Sequence, residues 1–361
     1  MPLLKDKVVI VKPISRRPYL VGLVSIDRSG EYPPPPYRGR VWHIDAVVHS
    51  YTETQDKHGR TKSSRNKLEY GKSYANNIGH AERINDRTVR LHTPPIIVIW
   101  ASNRGIAQEA ANLIAAASSV LNGYLFIDDI LAVPKATDDR EDLDELTHLS
   151  RRNACFAASG FAEAAALAAK CSHRGRLTYA LVKLWSSFRS CSKDWMDFHP
   201  DYGRAFGVTR SPVDHVIFSQ AIVSAHAAME ELGLSIGTGV QAYDSGRLLP
   251  GVQEDLERRL KTAGIDPSHS FIWTVRGSKT RLEKKLPIPP SKKASWAKNT
   301  IRDRHISLAE AVARARWLRS KASAHESSSL TRSLTWVDVN NVQMVARRLL
   351  LELLGFLPGH K

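Results

Sequence analysis

The sequence predicts an α+β protein, with a mixed α/β N-terminal domain followed by an all-α C-terminal region. Up to about residue 135, apolar residues cluster in short runs rich in Val and Ile, which is typical of strands. Beyond that point they recur at steps of three and four, as in amphipathic helices. The length of 361 residues suits two or three domains. We expect a mixed domain over 1–135, a helical connecting region over 136–200 and a helical bundle over 201–361.

The predicted strands of the first half are bounded by Pro and Gly clusters. They are Lys7–Lys12, Tyr19–Ile26, Val41–His49, Pro95–Trp100 and Gly123–Val133. A polar stretch, Thr52–Arg90, has little periodicity and is expected to be a long basic loop or a small excursion. Its charges would form a solvated face or, alternatively, a nucleic-acid contact.

The predicted helices follow from apolar periodicity and from residues that favour helix ends. Asp214–Leu232 carries one apolar stripe and ends at Gly233. Ser307 and Glu310 have the spacing of a capping box, which opens another helix. The remaining predicted helices are Ile106–Leu121, Asp138–His173, Arg176–Lys193, Val252–Ala263 and Val339–Leu354.

The positive charge is unevenly distributed along the chain. There are 52 Lys and Arg residues against 36 Asp and Glu, a formal net charge of +16, which favours phosphate-rich partners. About half of this excess lies in Arg276–Arg304, where ten basic residues stand against two acidic ones. Prolines interrupt the segment, so we expect an extended basic insertion over 264–306. The alternative is a solvated insertion whose charges only keep it soluble.

Basic residues interleaved with aromatic ones can hold a single strand of RNA by phosphate contact and base stacking. This combination makes RNA the expected partner of the basic segment and of the helix after it. The candidate RNA-binding residues are Lys284, Lys285, Lys292, Lys293, Trp296, Arg302, Arg304, His305 and Lys321.

A candidate catalytic pair follows the basic segment. Arg319-Ser320 is followed by His325, with five residues between Arg and His. Metal-free RNA cleavage needs a group that exchanges protons near neutral pH, which His supplies, and a cation for the charged phosphate oxygens, which Arg supplies. Six positions along an ideal helix leave two side chains about 120° apart. Either the helix ends before His325, or a dimer partner completes the site.

This motif and its helical context resemble the HEPN superfamily, the higher eukaryote and prokaryote nucleotide-binding domain, over residues 205–356. Ala228–Leu232 is similar to the family's opening helix, and Val342–Leu354 to its closing helix. Two features depart from the family pattern: Ser320 stands where Asn, Asp or His is more frequent, and the basic insertion separates the first helix from the motif helix.

The resemblance implies a HEPN-like bundle that acts as a metal-independent endoribonuclease on single-stranded RNA. Arg319 and His325 would be catalytic, two motifs would meet across a homodimer, and a cyclic phosphate would form. Prokaryotic defence or toxin-type growth arrest follows by family analogy alone. The N-terminal domain would bind a regulatory partner or ligand. The alternative is a non-catalytic HEPN-like module for RNA binding, nucleotide binding or dimerisation.

Other sequence features narrow the expected environment. Cys155, Cys171 and Cys191 are odd in number and widely spaced, which predicts free thiols in a reducing compartment. No apolar run approaches about 18 residues, and the first residues lack the apolar core of a signal peptide. We therefore expect a cytoplasmic protein with no membrane partner, no metal site and no cofactor. His226, within the first bundle helix, is expected to be packed or exposed rather than catalytic.

Overall fold

The protein is α+β, as predicted, and its chain divides into two units. Unit 1 comprises Met1–Leu121 with Phe126–Thr178, and unit 2 comprises Asn122–Leu125 with Tyr179–Lys361. The computed structural model describes residues 17–24, 37–55, 58–69, 81–86, 88–92, 96–125, 132–134, 161–191, 212–237, 239–244, 247–276, 301–322 and 334–357.

Unit 1 is built on an antiparallel sheet of eight described strands. The strands are β1 (Arg17–Val24), β2 (Tyr37–Arg38), β3 (His43–Gln55), β4 (Thr61–Glu69), β5 (Ala81–Asn85), β6 (Thr88–His92), β7 (Ile96–Ala101) and β8 (Ala132–Pro134). Their main order is β5-β6-β3-β7-β1-β8, and β2 and β4 also pair with β3. In the apolar centre of the sheet, β1 places Leu20 opposite Val98 and Tyr19 opposite Ile99.

The expectation of a loop over Thr52–Arg90 is wrong. This region contains the end of β3, all of β4, and the β5–β6 pair. Strand β4 is polar throughout most of its length, and it runs antiparallel to β3 from Val47↔Glu69 to Gln55↔Thr61. Backbone pairing with a neighbouring strand stabilises such a segment without the apolar alternation that sequence reasoning looks for.

Three other strand predictions for the first half are confirmed, and the prediction over Gly123–Val133 is wrong at its start, because residues 123–125 are a turn and not a strand. The strands predicted over Tyr19–Ile26, Val41–His49 and Pro95–Trp100 correspond to β1, β3 and β7. Of the strand predicted over Gly123–Val133, the described strand β8 covers only Ala132–Pro134. Lys7–Lys12 lies outside the described residues.

Unit 1 also contains two described helices, one between β7 and β8 and one after β8. Helix α1 (Arg104–Asn122) is rich in buried alanines, and the Asn103 Oδ1 caps it by accepting the Ile106 N–H at 2.9 Å. Helix α2 (Phe161–Ser172) carries Cys171, whose thiol is buried and free, and burial raises its pKa to about 12. This thiol is therefore protonated at neutral pH.

Unit 2 contains the helices that matter for the candidate site. Its described elements are α3 (Gly175–Ser190, which starts in unit 1), α4 (Pro212–Leu232), β9 (Tyr243–Asp244), β10 (Arg247–Leu248), α5 (Pro250–Thr262), β11 (Ser270–Arg276), β12 (Ile301–Ser307), α6 (Leu308–Ala322) and α7 (Trp336–Leu354). Helices α4, α6 and α7 pack on one another, and α5 packs against α6.

A buried polar network ties α3, α4 and α7 together. Ser187 on α3 donates to the backbone carbonyl of Ala221 at 2.7 Å. The Gln343 amide on α7 donates to the Ser187 hydroxyl at 3.0 Å and to the Cys191 carbonyl at 2.9 Å. Cys191 is a buried free thiol, and its pKa is raised to about 12 by burial, whereas Cys155 lies outside the described residues. Because these polar groups satisfy one another, the network fixes the relative positions of the three helices.

The C-terminal region is not all-α, and the basic insertion is not simply an extended loop. Strands β11 and β12 form an antiparallel hairpin from Ser270↔Ser307 to Arg276↔Ile301. Phe271 and Trp273 are buried beneath it, which supplies the apolar face that stabilises the pair. Asn341 of α7 completes the edge of β11, accepting the Thr274 N–H at 3.0 Å and donating to its carbonyl at 2.7 Å.

Candidate functional site

Arg319, the predicted catalytic cation, lies in the last described turn of α6. The helix begins as the capping box predicts, with the Ser307 Oγ accepting the Glu310 N–H at 3.1 Å. The Arg319 side chain is half-buried, and within the described part of the chain it makes no hydrogen bond or ion pair. His325, its predicted partner, lies outside the described residues.

Arg316 and Arg319 share a face of α6 that is turned toward α4. Residues three apart on a helix are neighbours, about 60° apart around its axis. Across the helix contact lies His226 of α4, which is 0% exposed. Burial lowers the pKa of His226 from its ordinary value of 6.5 to about 3, and the positive charges of Arg316 and Arg319 act in the same direction. The imidazole is therefore neutral at physiological pH.

Glu230 stands one turn after His226 on α4. Its Oε1 lies 3.4 Å from the His226 Nδ1. Burial lowers the pKa of Arg316, the charge of Arg319 lowers it further, and the Glu230 carboxylate opposes both. The cluster formed by His226, Glu230, Arg316 and Arg319, hereafter the α4–α6 cluster, thus combines two cations, one carboxylate and one neutral ring.

The α4–α6 cluster contains buried polar atoms that have no hydrogen-bond partner among the described residues. They are both ring nitrogens of His226 and the Nε of Arg316. Buried donors and acceptors are nearly always paired in folded proteins, because an unpaired one costs about 1–3 kcal/mol. His226, expected to be packed or exposed, is packed, but helical periodicity does not show which residues face it. The spacing of four between His226 and Glu230 places both on one face of the helix, and this was the sequence signal for their contact.

A second arginine centre lies on the same helix. The guanidinium of Arg314 is fully buried, and its Nε and Nη2 both donate to the Glu310 Oε1. Its Cζ lies 5.5 Å from the centre of the Trp273 ring. Burial raises the pKa of the neighbouring Tyr243, whereas the charge of Arg314 lowers it. Trp273 is only 1% exposed, so its ring packs against Arg314 and has no surface on which a base could stack.

The predicted RNA-binding residues of β12 do not form one surface. In the backbone register Arg302 pairs with Val275 and Arg304 pairs with Trp273. Successive strand residues alternate between faces, so Arg304 and His305 lie on opposite sides of the hairpin. His305 is opposite Ile272 on the other side, where both are exposed. The His305 Nδ1 lies 3.1 Å from the Ser270 Oγ. His305 is thus separated by the hairpin from the side on which Arg304 lies.

Lys321 is also turned away from Arg319. Two positions along a helix rotate the side chain by about 200°. The Lys321 Nζ is 5.7 Å from the centre of the Trp317 ring, on its own face of α6. The other predicted RNA-binding residues, Lys284, Lys285, Lys292, Lys293 and Trp296, lie outside the described residues.

Compared with protein-family models, curated proteins and solved structures, the chain has no significant match. The described residues contain no group of three or more His, Cys, Asp or Glu side chains placed to hold a metal ion. Among the described helices, none is both long and apolar enough to cross a membrane.

Proposed function

We propose that this chain is a HEPN-type, metal-independent endoribonuclease that cleaves single-stranded RNA. The observation that carries the proposal is the position of Arg319. It is a half-buried cation on a packed three-helix bundle, and no described carboxylate pairs with it. An arginine held in this way can give its planar fork of donors to a phosphate rather than to an internal partner.

In the proposed reaction, the 2′-hydroxyl of the substrate attacks the adjacent phosphorus and the bond to the 5′-oxygen breaks. One His325 of the proposed homodimer takes the proton of the 2′-hydroxyl, and the second His325 gives a proton to the leaving 5′-oxygen, as a side chain with an ordinary pKa near 6.5 can do at neutral pH. Arg319 stabilises the negative charge that grows on the phosphate oxygens. The products are a 2′,3′-cyclic phosphate and a free 5′-hydroxyl.

The wider role follows from the same proposal. Arg302, Arg304, His305, Lys321 and the lysines of the basic segment would hold the RNA by its backbone, which makes binding salt-dependent. The bundle would form a homodimer, and the N-terminal domain would receive a regulatory partner or ligand. The setting would be the cytoplasm, in defence or toxin-type growth arrest.

A non-catalytic RNA-binding or nucleotide-binding module is the second candidate. The α4–α6 cluster favours it, because Arg316, Arg319 and a neutral His226 can bind a phosphate without transferring a proton. The two candidates differ in whether the RNA backbone is broken.

The test uses labelled single-stranded RNA in the presence of EDTA. We expect the wild-type chain to cleave it, and Arg319→Gln and His325→Gln each to lower the rate by about 100-fold or more. Arg258→Gln, an exposed arginine on α5, is the matched control and should keep the wild-type rate. Equal residual cleavage by the wild type and both variants would indicate a contaminating nuclease and overturn the proposal.

A further inference from the structure

We propose that His226, Arg316 and Arg319 form a binding site for one phosphate group of the RNA backbone, with Glu230 as its built-in competitor. This inference rests on the proposed function and adds to it a specific site beside Arg319. Sequence reasoning assigned no ligand to His226, Arg316 or Glu230.

The donors of the site are already in place and make no hydrogen bond among the described residues. The neutral imidazole of His226 carries one N–H, and neither of its ring nitrogens has a hydrogen-bond partner among the described residues. The Arg316 Nε is a buried donor that also has no hydrogen-bond partner among the described residues. Arg319 adds a guanidinium that makes no hydrogen bond or ion pair within the described part of the chain. Three donors, two of them cationic, match the oxygens of a phosphate.

The Glu230 carboxylate lies beside these donors, which indicates that they accommodate a negatively charged group. Its carboxylate stands 3.4 Å from the His226 Nδ1, and its charge acts on Arg316. Its carboxylate oxygens present the same kind of acceptor that a phosphate would present. A phosphate entering the site must therefore compete with Glu230 for these donors and be repelled by its charge.

One side of the α4–α6 cluster is exposed to solvent, and the other side is buried. The Glu230 side chain is 36% exposed, and Arg316 and Arg319 are half-buried, so these three groups lie at the surface. His226 lies beneath them with no exposed surface. A phosphate would reach the arginines from solvent and meet the imidazole last, where low water content strengthens the contact.

The experiment follows the His226 ring by NMR in the full chain. The protein carries ¹³C-labelled histidine, and His226→Gln identifies the resonance among the 14 histidines. Inorganic phosphate is titrated at pH 7.5, with chloride adjusted to hold the ionic strength constant. We expect a saturable shift of the His226 resonance, weakened about fivefold by Arg316→Gln and by Arg319→Gln. Glu230→Gln should tighten the binding about fivefold, because it removes the competing charge.

Two controls make the result decisive. Arg258→Gln should leave the phosphate affinity unchanged, and the exposed His173 of unit 1 should show no saturable shift. If Arg316→Gln fails to fold, Arg319→Gln carries the same comparison from the last turn of α6. The inference is overturned if the His226 resonance does not respond to phosphate, or if Glu230→Gln weakens the response.

The outcome can be separated from that of the proposed function by assaying RNA cleavage on the same preparations. If Arg319-dependent cleavage occurs without a phosphate response at His226, the nuclease stands and this site is wrong. If phosphate binds as expected but RNA remains intact, the site stands and the proposed cleavage is wrong.

Discussion

Helix α6 carries two arginine centres that differ in how their charges are satisfied. Arg314 is fully buried, donates twice to Glu310 on its own helix and lies beside the Trp273 ring. Arg316 and Arg319 are half-buried, and neither makes an ion pair among the described residues. Arg314 is therefore part of the core and is paired with Glu310. Arg316 and Arg319 lie where α6 contacts α4 and have no such partner among the described residues.

The difference separates a structural cation from a candidate ligand-binding one. A buried guanidinium must be accompanied by a carboxylate in the fold, because an unpaired buried charge is too costly. A half-buried guanidinium is still partly solvated, so it can remain without an internal partner at low cost until an anion arrives. The contrast between Arg314 and Arg319 can be tested by identical substitutions on the same helix.

The largest expected difference is in stability. Arg314→Gln leaves Glu310 without its partner and leaves a gap against Trp273, so we expect a loss of about 3 kcal/mol in the free energy of unfolding. Arg319→Gln should lower the free energy of unfolding by less than about 1 kcal/mol. Urea unfolding followed by tryptophan fluorescence measures both. A loss for Arg319→Gln as large as that for Arg314→Gln would mean that both arginines are structural.

The next effect is a pH dependence that belongs to His226. Its folded pKa, about 3, lies below the ordinary value of 6.5, so between these values the unfolded chain binds a proton that the folded chain does not. Stability is therefore complete above about 6.5 and falls as the pH drops toward 3, by on the order of 1 kcal/mol per pH unit. Unfolding measured at pH 7, 5.5 and 4.5 should show a shallower fall for His226→Gln. Parallel curves would show that His226 is not buried and neutral.

The smallest expected change in unfolding free energy concerns Tyr243, which lies near Arg314. It tests whether the buried Tyr243 hydroxyl lacks a hydrogen-bond partner. The Tyr243 hydroxyl is buried there with no hydrogen-bond partner among the described residues. Tyr243→Phe removes that unpaired group, so we expect a change in unfolding free energy of less than about 1 kcal/mol. A loss above about 2 kcal/mol, measured by the same urea method, would show that the hydroxyl has a bound partner.

Helical elements were predictable because their signals are local. The stripe from Phe218 to Leu232, with Gly233 at its end, placed α4 within two residues of its observed start, Pro212. The Ser307 capping box marked the start of α6. Each signal involves residues a few positions apart, so it can be recognised without tertiary contacts.

The β11–β12 hairpin was missed although part of its signal was present. Phe271, Trp273 and Val275 alternate along β11, but the charges and prolines that follow indicated a loop. The partner strand lies 25 residues further along the chain, from Arg276 to Ile301, and no short-range rule joins them. The α4–α6 cluster was missed for the same reason. Arg316 and His226 stand on different helices, and only the helix packing brings them together.

The central claim is that RNA is cleaved through its own 2′-hydroxyl, with Arg319 acting on the phosphate. The most direct measurement compares one RNA sequence with its all-deoxy counterpart in EDTA and identifies the product ends by mass spectrometry. We expect 2′,3′-cyclic phosphate ends from the RNA, an intact DNA strand, and loss of both the product and its cyclic ends in Arg319→Gln. Equal cleavage of the DNA strand, or RNA products that carry only 3′-hydroxyl ends, would contradict that claim.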